Sequence, residues 1–218
     1  MRALQSKLSV LLVVVFIISG CATTPPYDYT AYKQSNPRSI LILPPVNNSP
    51  DVNATYSVFS QLTYPMAESG YYVFPVALVD ETFKQNGLSA PADIHAVALD
   101  KLREIYGADA ALYVTITKYG STYNVVSSAA VVSANAKLVD LKTGDLLWEG
   151  SATASSEEGQ SNNNNGLAGL LITAIVKQVA NNVTDASHRI AGIASQRLLY
   201  ARQPNGTLHG PRSPHYVK

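Results

Sequence analysis

Apolar positions in this chain fall first into one unbroken run and then into shorter runs with strand or helix periods. Leu8 to Ile18 is almost wholly apolar, interrupted only by Ser9, and follows the positive Arg2 and Lys7. It ends in the small residues Ser19 and Gly20. The run falls short of the ~20 residues a membrane-spanning helix needs, and the whole pattern predicts a cleaved secretory signal over residues 1–20. Residues 21–37 carry Pro25, Pro26 and Pro37 with Tyr27, Tyr29 and Tyr32 between them and show no period, which predicts a tether. A single domain is expected over residues 38–200. Ser39 to Leu43, closed by Pro44 and Pro45, suits a strand buried on both faces. Asn53 is placed to cap a helix from Ala54, on which Val58, Leu62 and Met66 stack; Pro65 should kink or split it, and Gly70 should end it. Tyr71 to Val76 is the next strand, with Pro75 at its end or on an edge, completing a βαβ unit.

Asp80 to Gln85 predicts a helical turn, and Ser89 with Pro91 opens a helix whose buried stripe is Leu99, Leu102, Ile105 and Tyr106. Ala110 to Lys118 is a strand, and Tyr119 to Thr122 should break it. Tyr123 to Asp140 is a long strand, Lys142 to Asp145 a turn, and Leu146 to Ser155 the strand that runs back, carrying Trp148. Four consecutive asparagines, Asn162 to Asn165, predict a mobile loop. Leu167 to Val176 is nearly all apolar but too short to cross a bilayer. Asp185 opens a last helix with Ile190, Ile193, Leu198 and Leu199 facing inward, and residues 201–218 read as a disordered tail. The order β-α-β-α-α-β-β-β-α-α predicts an α/β (α+β) fold: a mixed β-sheet with helices packed on it.

Composition narrows the function. The chain has 218 residues, of which 46% are apolar and only 14% charged. Loss of Arg2 and Lys7 with the leader takes the formal charge from +1 to −1, so no basic excess exists to neutralise phosphate backbones and nucleic acid is excluded as a partner. Cys21 is the only cysteine, so the domain holds together without an internal disulfide. The histidines are His95, His188, His209 and His215, none at metal-ligand spacing with another. No zinc-protease, P-loop or nucleophile-elbow motif occurs, no metal or cofactor is expected, and Asp80-Glu81 reads as a solvated helix start because adjacent helical residues do not face each other. Leu167, Leu170, Leu171 and Ile175 form an apolar surface that suits either a buried core helix or self-association into a homodimer.

Ile18-Ser19-Gly20-Cys21 resembles the bacterial lipobox. That resemblance implies cleavage before Cys21, diacylation of its thiol and acylation of the new amine, an attachment strong enough to hold without a transmembrane helix. Ala22 follows, and the lack of aspartate there resembles the outer-membrane address of Gram-negative lipoproteins, with the domain in the periplasm. Ile40 to Pro45, Gly70 to Gly87 and Ala136 to Gly144 resemble the meningococcal-antigen type of lipoprotein, a family of unknown function. The resemblance implies a core similar to the N-terminal domain of the Tol-system propeller protein and to curli-secretion lipoproteins. It implies partners among other envelope lipoproteins, one of curli-secretion type, and it supplies no catalytic residues. The expectation is a non-enzymatic outer-membrane lipoprotein that binds protein partners in an envelope assembly or transport complex. The alternatives are a subunit of a curli-secretion-like ring or pore, and a module binding peptidoglycan or a small ligand.

Overall fold

The computed structural model describes residues 27–123, 128–158, 186–201 and 205–217. Cys21, the leader and the Leu167 to Val176 stretch lie outside the described residues. The elements are α1 (Thr30–Ser35), β1 (Ser39–Ile42), β2 (Val46–Asn47), α2 (Ala54–Glu68), β3 (Tyr72–Val73), α3 (Val76–Gln85), α4 (Pro91–His95), α5 (Leu99–Tyr106), β4 (Ala110–Tyr123), β5 (Ser128–Asp140), β6 (Leu146–Ser155) and α6 (Ala186–Leu199). One mixed sheet runs in the order β3-β1-β4-β5-β6, with β2 also paired to β4. β1 is parallel to both β3 and β4, whereas β4-β5 and β5-β6 are antiparallel. The expected mixed sheet with helices packed on it is present.

Both faces of β1 are buried, and the two faces meet different helices. Ile40, Ile42, Leu112, Val114, Ala134 and Leu138 pack with Val58, Phe59, Leu62 and Met66 of α2 and with Ile190, Ala194 and Leu198 of α6. Leu41, Leu43, Ala111 and Leu141 pack with Val79, Phe83, Ile94 and Leu102 from α3, α4 and α5. Each fully buried Leu or Ile contributes about 1.5–3 kcal/mol, so these two layers dominate the fold. Trp148 is 1% exposed, and its ring lies where a Cβ on Gly150 would come within 2.4 Å; the strand makes room for the indole by giving up a side chain two residues on.

Several elements depart from the sequence expectation. α2 runs unbroken through Pro65, because a proline so near the C-terminal end removes one backbone bond only, and its own carbonyl accepts from Ser69. Asn53 stands at the cap position, but its side chain makes no cap bond; Asp51 Oδ1 accepts from Asn53 N–H instead, at 2.9 Å. The strand expected over Tyr71 to Val76 is two residues long, and the helical turn expected at Asp80 is a full helix from Val76. Ile105 is 54% exposed, since it lies about a quarter-turn off the Leu99-Leu102-Tyr106 stripe. β4 does not break at Tyr119; the register shifts between Ile116 and Lys118 and pairing resumes to Tyr123.

Candidate functional site

Residues 27–37 and 205–217 meet on one side of the sheet and enclose a concavity between them. Residues 27–37, read as tether, contain α1 and pack against the domain. Tyr32 is 2% exposed, and Tyr27 and Tyr29 lean on the same core. The correction has a plain cause: six residues are too few for a helix to stand alone, but aromatic burial outweighs the entropy of ordering them. Asn36 closes α1 in the left-handed region, φ 46°.

Residues 205–217, read as a disordered tail, are bonded along their length. Trp148 Nε1–H donates to Asn205 O (3.0 Å), Tyr29 OH to Gly206 O (2.5 Å) and Tyr71 OH to Leu208 O (2.8 Å). Thr207, 1% exposed, donates its hydroxyl to Leu199 O. Gly210 N–H reaches Ser69 O and Arg212 N–H reaches Gly70 O. Tyr216 OH donates to Asn36 Oδ1 at 2.7 Å, tying the last turn of the clasp to the end of α1. Gly70 has φ +96°, and a Cβ there would sit 2.4 Å from Ser213 N, so the clasp closes only over glycine. The partners lie far apart in sequence, which is why no local period announced them. The available signal was the density of tyrosines at 27, 29 and 32 with Tyr71 to receive them.

A pocket of about 450 Å³ lies between the clasp and α1, lined by Tyr32, Lys33, Gln34, Asn36, Tyr71 and His209 together with Pro37, Leu208, His215, Tyr216 and Val217. At its floor the Tyr32 and Tyr71 hydroxyls are 2.8 Å apart, and burial pushes both well above the ordinary phenol range. The His209 and His215 rings have centroids 5.3 Å apart. Burial first, and the neighbouring His215 second, hold the His209 imidazole below its ordinary pKa.

Several titratable groups outside this pocket are tied into the fold. His188 Nδ1 lies 2.8 Å from Ser57 Oγ and its Nε2 2.8 Å from Gln61 Nε2, while Tyr119 OH donates to Ser57 Oγ at 2.6 Å. With the Gln61 amide donating to Nε2, Nδ1–H donates to Ser57, whose oxygen then accepts twice. A hydroxyl so occupied links α2, α6 and β4 and is not activated for attack. This serine-histidine contact was missed in the sequence because its members are 131 positions apart. His95 Nε2–H donates to Pro44 O, and burial lowers its pKa. Asp80 pairs with Lys84, and Glu81 accepts from Gln85, each along one exposed helix face. Among the described residues no group of three His, Cys, Asp or Glu side chains could hold a metal ion. Nor is any described helix long and apolar enough to cross a membrane. A second, shallower groove of about 470 Å³ crosses the outer face of β4-β5-β6, lined by Tyr113, Thr115, Asn135, Lys137, Glu149 and Ser151. The sequence-predicted Cys21, Leu167, Leu170, Leu171 and Ile175 lie outside the described residues.

The sequence pattern of the family described as "Putative lipoprotein GNA1162-like" matches residues 27–212, from the first tyrosine packed on the domain to Arg212 in the clasp. This chain belongs to that family. A relative from Neisseria meningitidis serogroup B (strain ATCC BAA-335 / MC58), described as "Putative lipoprotein NMB1124/NMB1162", is 49% identical over 203 residues, 92% of this chain and 94% of its own length. The crystal structure of lipoprotein GNA1162 from Neisseria meningitidis aligns with 52% identity and a TM-score of 0.54, covering 67% of this chain and all of that one. The PelC dodecamer from Paraburkholderia phytofirmans aligns at 11% identity and a TM-score of 0.43, over 83% of this chain and 96% of that one, a likeness too slight to carry a functional inference.

Proposed function

We propose that this protein is a non-enzymatic outer-membrane lipoprotein, anchored by acyl chains on Cys21, whose periplasmic domain holds protein partners in an envelope assembly or transport complex. The observation that carries the reading is the outer face of β4-β5-β6. α4 covers its β4 edge, where the His95 and Tyr113 rings meet with centroids 5.2 Å apart, and beside that contact lies a groove of Tyr113, Thr115, Asn135, Lys137, Glu149 and Ser151. Such a face offers both charges, amide and hydroxyl groups and one aromatic ring, a mixture suited to a polar protein interface. The absence of an activated nucleophile at Ser57 supports a binding role over a catalytic one. Partners among other envelope lipoproteins fit the lipidated start. A pore subunit is the weaker reading, because a hairpin facing lipid would have to bury Lys118 and Lys137, which are exposed here.

The test uses the full lipidated protein in intact envelopes. A photo-cross-linking residue at Lys137 or Ser151 should capture a second protein, while one at Glu81 on the exposed face of α3 should not. Recovery of this protein alone from every position overturns the proposal.

A further inference from the structure

The pocket under the clasp has a chemistry of its own, independent of the outer sheet face. Its polar lining consists of donors and amphoteric groups: the Lys33 ammonium, the Gln34 and Asn36 amides, the His209 and His215 imidazoles and the Tyr216 hydroxyl. Among the described residues no carboxylate lines it. Asp28 is engaged by Thr30, and Asp140 accepts from Ser35 on α1 and from the turn after β5. The donors are also turned toward the cavity by their partners. Tyr216 OH occupies Asn36 Oδ1, so the Asn36 amide keeps its N–H groups free for another acceptor. Ser213 Oγ accepts from His215 N–H and lies 3.1 Å from His209 Nδ1; with the serine proton on Nδ1's lone pair, His209 retains its Nε2–H. Pro37, Leu208 and Val217 supply an apolar wall beside these groups. Two imidazoles with no third ligand among the described residues make an incomplete metal site, whereas several N–H donors and one ammonium suit an anion with multiple acceptor oxygens.

Position adds a second argument. Tyr27 is already packed on the domain, and its backbone N–H donates to Asn205 Oδ1 at 3.4 Å. Only the chain from Cys21 to Tyr27 separates the domain from the lipidation point. Six residues span at most about 20 Å when fully extended. The pocket begins at Tyr32, and the rings of Tyr27, Tyr29 and Tyr32 follow one another at centroid separations of 5.0 and 6.4 Å. The leash therefore keeps this side of the domain within reach of the headgroups.

We propose that this pocket binds an anionic phosphate group, supplied by the headgroup of a phospholipid in the membrane that holds Cys21. The negative oxygens take Lys33, the amides and the two imidazoles, and the glycerol end lies along Pro37, Leu208 and Val217. Bound phosphate favours the protonated His209 imidazole, so binding should tighten as the pH falls from about 7.5 to about 6.

The test uses the mature lipidated protein in a neutral maltoside detergent, read by the imidazole resonances, which H209Q and H215Q variants assign. Titration with dihexanoyl-phosphatidylglycerol should shift the His209 and His215 signals saturably, and more tightly at the lower pH. Lys33→Gln alters an exposed side chain and should weaken binding about threefold while Trp148 fluorescence stays unchanged. Inorganic phosphate binding as tightly as the lipid supports the phosphate site and assigns it to free phosphate. Silence of both imidazoles toward lipid and phosphate overturns the proposal, as does a response that Lys33→Gln leaves untouched.

Discussion

Asp140 shows how much one side chain settles at the residue scale. It ends β5, accepts Lys142 N–H at 2.6 Å and Thr143 N–H at 2.9 Å, and takes the Ser35 hydroxyl from α1. Burial pushes its carboxyl up, but the bonds from Ser35, Thr143 and Lys142 together outweigh burial and leave it below the usual range. Asp140→Ala should lower stability by about 2 kcal/mol, read as a shift of the urea midpoint, because two turn amides and one hydroxyl lose their acceptor. His95 gives a pH dependence of defined sign. Burial lowers its pKa in the folded state from the ordinary 6.5, and the bond to Pro44 O offsets this only in part. Below about pH 6.5 the unfolded chain therefore binds more protons than the folded one, and stability falls as the pH drops through that window. His209 acts in the same sense. The melting temperature should decline between about pH 7.5 and 5.5, and His95→Gln combined with His209→Gln should flatten the slope; an unchanged slope sinks this account.

At the element scale, the legible parts were those whose cause is local. The β5-β6 hairpin declared itself through Lys142-Thr-Gly-Asp145 between Leu138-Val139 and Leu147-Trp148, and the structure pairs Leu138 with Trp148. The α2 stripe of Val58, Leu62 and Met66 is buried as its spacing requires. What stayed hidden depended on partners far along the chain. α1 exists because Tyr32 finds Tyr71, 39 positions away, and the extension of β4 past Tyr119 exists because β5 is there to pair with it. No window of sequence contains both halves of either contact. The tyrosine pair can be measured directly. Tyr32→Phe, Tyr71→Phe and the double variant should form a cycle with a coupling of about 1 kcal/mol, the worth of one buried hydrogen bond. Tyr71→Phe should cost more alone, since it also deprives Leu208 O of its donor.

At the scale of the whole molecule, the clasp decides whether the domain is closed. Gly70 and Gly210 face each other so closely that a Cβ on Gly70 would meet Ser213 N at 2.4 Å and one on Gly210 would meet Gly70 O at 2.6 Å. Gly70→Ala should therefore expel residues 205–217 without touching the sheet. Limited trypsin digestion should then cut after Arg212 faster than in the parent, while far-ultraviolet dichroism changes little; equal cutting rates refute the role given to this glycine. The Ser57–His188 link, distant from the clasp, should be unaffected in the same variant.

The meeting of residues 27–37 with residues 205–217 also bears on the order in which such a chain folds. A chain emerges from synthesis starting at its beginning, yet Asn36 waits for Tyr216, 180 positions later. Tyr32 and Tyr71 can pair early, but the covering strap arrives only with residues 205–217. Closure of this domain thus waits on residues 205–217: until that stretch is available, the molecule stays unlatched and open to proteases.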